Sequence, residues 1–391
     1  MNKKVLVIGA GIGGLTTALA LKRIGYEPVV YERSTEPSSN GTTLVLWPNA
    51  LRVFQALGAA DAILKLGVRN LKTSVFTSKG QPLYELSLDM EAEYGYPVIT
   101  VLRADLQKIL LEQLGRDAVV WGQEFVNAEQ DDEQVTVKFA DGHLEQGCLL
   151  IGADGIHSKV RNALFGEVPL RYCGYAAYRG MVDNHSTILS HQIGMEVWGE
   201  GKRFGLFHTG HKGIYWFATL NSAADNSISP NGIKQRLLHE FAGWHPPVEQ
   251  ILHLTDESKM LRHLIYDLPK LSYWTKGRAT LLGDAAHAMT PNLGQGACQA
   301  IEDSMALVES IQRGPDLNTA LQRYEAGRIS QVRKVVNLSY RMGKVSQWSH
   351  PWLCGIRNWA FAALPGSLKL KQLERIIGKD SRSKKDNKLM L

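Results

Sequence analysis

Absences narrow the reading first. The 391 residues hold four cysteines, Cys148, Cys173, Cys298 and Cys354, with no C-x-x-C pair among them. Such scatter excludes a zinc site and a disulfide framework and leaves reduced, packing thiols. No window reaches the roughly 18 uncharged apolar residues that a spanning helix needs. The apolar run at residues 5–8 is too short for a signal peptide and passes straight into glycines, so a cytoplasmic location is expected. No internal repeat is present, and no Ser/His/Asp or Cys/His constellation of the kind that nucleophilic enzymes use. A second G-x-G-x-x-G is missing as well, so a separate domain for a resident nicotinamide is not expected.

The composition, 44% hydrophobic and 21% charged, is that of a globular chain with large cores, and the length suggests two or three domains. The net charge is +6, with Lys379, Arg382, Lys384, Lys385 and Lys388 clustered near the end. Residues 379–391 are expected to form a disordered basic tail. The expected partners are a small-molecule substrate and not nucleic acid, with the chain a monomer or homodimer.

What is present begins at residue 3. A short β-branched strand meets Gly9, Gly11, Gly13 and Gly14, and a helix-period pattern follows. The G-x-G-x-x-G of Gly9, Gly11 and Gly14 gives a tight turn, close backbone approach to a pyrophosphate, and helix-on-strand packing. The helix N-terminus adds free N–H groups and partial positive charge. A second strand ends at Glu32, about 20 residues past the glycines, where a carboxylate binds a ribose diol. The pattern specifies the AMP half of NAD or FAD and disfavours a 2′-phosphate.

Further along, Trp47-Pro48 breaks an extended run, and Asn49 is expected to cap a helix over 50–57. A strand at 119–121 is expected to continue past Gly122 toward Phe125. Residues 148–155 form another strand ending in Gly152, Asp154 and Gly155. Between about 172 and 266 the pattern turns to alternating antiparallel strands. The dinucleotide texture then returns: a strand ending in Gly283-Asp284, a loop Gly294-Gln295-Gly296-Ala297, and a helix over 297–312.

The three glycine–acid motifs, in this order, resemble the group A flavin monooxygenases, the p-hydroxybenzoate hydroxylase fold, and most closely its salicylate and urate hydroxylase-like subgroup. The likeness covers residues 3–345. It implies an α/β fold: a Rossmann-type FAD-binding domain, an inserted antiparallel-sheet substrate domain and a C-terminal helical segment. The implied boundaries are 1–171 plus 267–315 for the discontinuous FAD domain, with substrate-domain strands around 73–102. The inserted sheet would take 172–266 and the C-terminal helices 316–378. The implied activity uses resident FAD, transient NADH or NADPH, and O2 to hydroxylate or epoxidise a small aromatic or isoprenoid substrate through a flavin C4a-hydroperoxide.

Residue by residue, the resemblance assigns Arg103, Asp284 and Val45 to the FAD, with Arg33 and Phe125 near the adenine. It gives Asp154 to FAD and the visiting nicotinamide. The helix start at Gly294–Ala297 faces the flavin pyrimidine, where it would stabilise negative charge. Pro291 falls beside the reacting edge. Tyr178, Arg203 and Tyr215 are the substrate candidates, with Arg203, Tyr215 and Pro291 nearest the chemistry. His287 is read as structural. Ala177 replaces the asparagine that the urate hydroxylases set against urate, which argues against urate as substrate. A Trp-rich stretch, Trp348, Trp352 and Trp359 with Phe361 and Leu364, is read as packing, an oligomer face or a weak peripheral membrane contact. A halogenase is disfavoured because its W-x-W-x-I-P stretch is missing. A geranylgeranyl reductase-like dehydrogenase and a non-catalytic flavin-binding protein stay open.

Overall fold

The structure is a computed structural model and describes residues 3–37, 42–183, 188–190, 192–224 and 232–364. The tail at 379–391 lies outside the described residues.

The Lys4–Ile8 strand is apolar from Val5 onward and buried along its length. A strand buried on both faces belongs at the centre of a parallel sheet. It pairs in parallel with Glu27–Glu32 on one side and Leu149–Gly152 on the other. The six-stranded sheet runs Thr275–Lys276, Ala279–Leu281, Leu149–Gly152, Lys4–Ile8, Glu27–Glu32, Val119–Trp121. Only its Thr275–Lys276 edge is antiparallel.

The Ile12–Arg23 helix leaves the first strand and packs on the Gly296–Arg313 helix. A buried hydroxyl pair, Thr17 Oγ1 and Ser304 Oγ at 2.8 Å, ties the two together. Gly14 allows the close turn: a Cβ there would lie 2.0 Å from the Gly9 carbonyl oxygen. Backbone cannot yield as a side chain can, so Gly14→Ala is expected to destabilise by about 1–3 kcal/mol. Thermal denaturation of the purified variant measures this.

The second large sheet has seven strands, in the order Leu261–Asp267, Arg171–Val182, Ile214–Asn221, Lys202–His208, Ile193–Trp198, Lys72–Thr77, Pro82–Ser87. Ile193–Trp198 pairs in parallel with Lys72–Thr77; the other pairings are antiparallel. Along each strand, alternate side chains point to opposite faces. One face carries Tyr178, Phe204, Leu206 and Trp216 into a core with Leu237, Phe241 and Ile251. The other face carries Ala177, Arg203, Phe207, Tyr215 and Phe217 toward a cavity. Ile99–Leu102 joins a separate three-stranded sheet with Thr43–Leu46 and Val68–Arg69.

Two local expectations are corrected. The Pro48–Ala56 helix starts on Trp47, and Asn49 lies inside it without capping. Pro48 takes the first helical position, where its missing N–H costs nothing, and the buried Asn49 amide is turned toward Gln295 Oε1 at 3.3 Å. The strand at Val119–Trp121 ends before Gly122, and Phe125–Gln130 pairs instead with Val135–Phe139 in another three-stranded sheet.

The Leu317–Ser346 helix is capped by Asp316, whose carboxylate accepts from the Thr319 N–H at 2.9 Å. The Pro351–Ala363 helix follows. Among the described residues, no helix is long and apolar enough to cross a membrane.

Candidate active site

A cavity of about 600 Å³ lies between the C-terminal ends of the parallel strands and the open face of the seven-stranded sheet. Ligands of open α/β sheets bind at such carboxyl ends.

At the glycine loop, Gly11, Ile12 and Gly13 line the cavity. No side chain caps the Ile12–Arg23 helix, so its first N–H groups stay available. Glu32 holds the loop from behind: Oε2 accepts from the Ala10 N–H at 2.8 Å, and Oε1 from the Ser34 N–H at 3.0 Å. Gln107 Nε2 donates to the Ala10 carbonyl at 2.8 Å. Arg103, at the start of the Arg103–Leu114 helix, is exposed to the cavity with no ion-pair or hydrogen-bond partner among the described residues. A free guanidinium beside a helix N-terminus suits a pyrophosphate.

At the middle of the cavity stands Asp284, the first residue of the Asp284–His287 helix. It sits deep in the protein, yet its side chain is exposed to the cavity rather than covered by protein. Burial pushes its carboxyl above the usual range, against the pull of His287 and Arg103. Behind it lies a buried ion network. Asp303 Oδ2 accepts from the Gly283 N–H at 2.9 Å and lies 2.6 Å from His287 Nε2. Asp303 Oδ1 accepts from Arg328 Nε at 2.7 Å, and Arg328 also reaches Gln299. Burial alone would raise the Asp303 carboxyl; His287 and Arg328 overcome this and hold it at about 2. His287 lends its ring to this network beneath the Gly283-Asp284 turn.

Val45, Trp47, Gly294, Gly296 and Ala297 form the next wall. The Gly296–Arg313 helix has no side-chain cap, so its N-terminus faces the cavity unsatisfied. Trp47 Nε1 is buried with no partner among the described residues, next to Gly294. Two orphaned donor sets, a free arginine and an open carboxylate make a cradle for a ligand with an anionic centre and a hydroxylated chain.

Under the sheet, Arg203 is 6% exposed. Its Nη1 donates to Asn292 Oδ1 at 3.0 Å and Ser346 Oγ at 2.8 Å, and its Nη2 to Glu196 Oε2 at 3.1 Å. Glu196 also accepts from Trp198 Nε1 at 2.9 Å. Tyr215 lies at the same wall, its hydroxyl beside Arg179 and Thr43; burial pushes the phenol up despite both neighbours. It therefore stays protonated at neutral pH. Pro291 and Asn292 close the cavity between these groups and Gly294. Apolar side chains, Val75, Leu86, Leu88, Leu338, Met342 and Phe361, share the remaining wall with Asn70, Thr73, Tyr84, Arg179 and Thr219.

Several expected site residues are placed otherwise. Tyr178 is buried on the opposite face, packed with Phe204 and Trp216, while its neighbours Ala177 and Arg179 line the cavity. Phe125, expected to run its backbone past the adenine, packs its ring into the main core. The Asp154 carboxylate is turned away, accepting from Ser158 Oγ and from the Val160 N–H at 3.1 Å, so it holds the start of the Lys159–Phe165 helix. Ala153 and Gly155 line the cavity in its place. Gln295, expected to contribute through its backbone at the helix start, turns its side chain into protein, bonded to Asn49 and Gln299. Arg33 is exposed and contributes nothing to this cavity. Glu196, Asn292, Ser346, Arg179 and Trp47 were not anticipated. Among them Glu196 was legible, because the Trp198–Arg203 hairpin pairing places it on the same face as Arg203.

The family described as FAD binding domain matches residues 2–339, most of the chain. The chain belongs to that family. Within the FAD binding domain family, it is similar to the aurachin C monooxygenase/isomerase of Stigmatella aurantiaca, 36% identical over 355 residues, covering 90% of this chain and 92% of that protein. It is similar to the chloroplastic zeaxanthin epoxidase of Nicotiana plumbaginifolia, 37% identical over 376 residues, covering 90% of this chain and 56% of that one. The crystal structure of Klebsiella pneumoniae HpxO complexed with FAD and uric acid matches with a TM-score of 0.91 at 32% identity, covering 96% of each chain. The family and these relatives make the protein an FAD-dependent monooxygenase, an oxidoreductase with FAD as cofactor and O2 and NAD(P)H as co-substrates.

Proposed function

We propose that this monooxygenase acts on a lipophilic aromatic or isoprenoid substrate with one polar head, held between the Gly294–Ala297 wall and the seven-stranded sheet. The observation that carries this reading is the cavity wall itself. It joins one deeply held arginine–glutamate pair to the apolar side chains of Val75, Leu86, Leu88, Leu338, Met342 and Phe361. Ala177 adds no polar group at the sheet. Uric acid, polar around its whole rim, would set polar edges against these apolar side chains. The names of two relatives, an aurachin C monooxygenase/isomerase and a zeaxanthin epoxidase, agree with this class.

FAD would rest with its AMP half at Gly9–Gly14 and Glu32, its pyrophosphate at Arg103 and its ribityl chain at Asp284. When bound, FAD supplies acceptance of hydride from NAD(P)H and activation of O2. The chain's own residues do the rest. The N–H groups at Gly296 and Ala297, with the helix dipole behind them, stabilise negative charge. Arg203, anchored by Glu196, Asn292 and Ser346, binds and turns the substrate head. Tyr215 presents a phenolic proton. The apolar wall keeps water from the reacting atoms. Pro291 shapes the edge where substrate and cofactor meet.

The test is oxidation of NADH and NADPH, with O2 uptake, by the FAD-loaded protein. A panel of phenols, quinolines with and without prenyl chains, and uric acid would be compared. We expect substrate-stimulated turnover and an oxygenated product with a prenylated or otherwise lipophilic ring, and none with uric acid. Best turnover on uric acid, or stimulated NAD(P)H oxidation without O2 uptake, overturns the reading.

A further inference from the structure

We propose that the Pro351–Ala363 helix is a docking surface for an anionic lipid bilayer, placed so that lipophilic substrate passes from the membrane into the cavity. This rests on the substrate class proposed above.

The helix has two faces. Cys354 and Arg357 point inward and are buried. Arg357 donates to the Ser346 carbonyl at 3.0 Å and the Gly199 carbonyl at 3.1 Å, which fixes the helix to the protein. Phe361 lies on the same inner side. Its ring packs on Trp198 at 5.1 Å and Tyr84 at 5.5 Å, and it lines the cavity. The outer face holds Trp352, Ile356 and Trp359, at the i, i+4, i+7 spacing of one helical stripe. They are 79%, 55% and 73% exposed, and Leu353 beside them is 41% exposed. Isolated exposed apolar side chains are ordinary, but a contiguous stripe with two tryptophans marks a binding surface.

Three features select a bilayer as the occupant. Tryptophan is the residue most suited to the membrane–water interface, with an apolar ring and one polar N–H. The helix carries no Asp or Glu, so an anionic surface meets no repulsion from it. Residues 365–391 directly after it hold eight Lys or Arg and three acidic residues. A polybasic segment that follows an amphipathic helix in sequence gives the second signal that stable attachment to anionic lipid needs. At 13 residues the helix is about 20 Å long, too short to span about 30 Å of hydrocarbon, so it would lie in the interface plane. Its inner neighbour Phe361 then stands between the bilayer surface and the cavity.

The test uses the full-length FAD-loaded protein and vesicles of phosphatidylglycerol with phosphatidylcholine, against phosphatidylcholine alone. We expect co-sedimentation with the anionic vesicles, weakened at least tenfold by raised salt, and a blue-shifted tryptophan emission on binding. Trp352→Ser with Trp359→Ser is expected to weaken vesicle binding at least tenfold while the bound FAD content stays unchanged. Vesicle binding is read without turnover, so it stands or falls apart from the substrate assignment. Absence of binding to any vesicle overturns the proposal. So does a concentration-dependent dimer in sedimentation velocity that the double variant abolishes, since a second copy would then cover the stripe. Equal binding by wild type and double variant overturns the role of the helix.

Discussion

Asp303→Asn is expected to lower stability by about 3–5 kcal/mol, the usual cost of removing one partner from a buried ion pair. The carboxylate serves three donors at once: the Gly283 N–H, His287 and Arg328. Asparagine offers one acceptor oxygen and no charge, so among the described residues Arg328 keeps only Glu302, 3.6 Å away, as an acidic partner. The Gly283-Asp284 turn loses its anchor as well, and FAD retention should fall with stability. Urea denaturation of the variant and its FAD content after gel filtration measure both. The pH dependence has a definite sign. Asp303 titrates near 2 in the folded protein, below its usual range of about 3.9 in an unfolded chain. Its contribution, on the order of 2–3 kcal/mol by linkage, is fully present above about pH 5 and is lost as pH falls from there through 2. Denaturation curves between pH 5 and 2 should show this loss in the wild type and lack it in the variant.

Arg203→Ala is expected to reduce kcat/KM by about 100- to 1000-fold, equivalent to the roughly 2.7–4 kcal/mol typical of losing a well-placed charged contact at a reacting centre. Uncoupled NAD(P)H oxidation should rise, because an unoriented substrate no longer collects the oxygen. The variant also strands Glu196, 18% exposed at its side chain, so part of the effect is structural. Pairing it with Glu196→Ala separates the two. If Arg203 only neutralises Glu196, the double variant recovers stability and turnover together. If Arg203 orients substrate, stability returns and kcat/KM does not. FAD binding should be unchanged throughout, since neither residue lies on the cradle built from Gly11, Arg103 and Asp284.

The framework of the fold was legible because its signals are local. The β-branched strand, the glycine turn and the return of the texture at Gly283-Asp284 each follow from residues within a few positions of one another. Misplaced residues follow from quantities a local pattern does not contain. Tyr178 failed by strand parity: a shift of one position exchanges the cavity face for the core face, and Ala177 and Arg179 hold the places assigned to it. Asp154 failed by competition, because Ser158 and the Val160 N–H take up its carboxylate. The Phe125 ring enters the main core on a strand that leaves the six-stranded sheet for a smaller one. Asn292 and Ser346 come from a loop and a distant helix end, and only the packed structure brings them to Arg203. The Trp47 indole N–H, unpaired beside Gly294, has no counterpart in any motif.

The strand order has a consequence for how the enzyme is made. The Lys4–Ile8 strand lies at the centre of its sheet, but the Ala279–Leu281 strand and the Asp284 turn, far along the chain, complete the same cradle. The seven-stranded sheet likewise joins residues 72–77 to residues 193–198. Pairings across such separations form slowly and leave strand edges open meanwhile. Residues as far along as Asp284 must therefore be synthesised before FAD has a complete seat. A ligand that binds only the completed cradle stabilises the folded chain by mass action, so the apoprotein is expected to denature at a lower temperature than the FAD-loaded protein, as thermal denaturation with and without FAD measures.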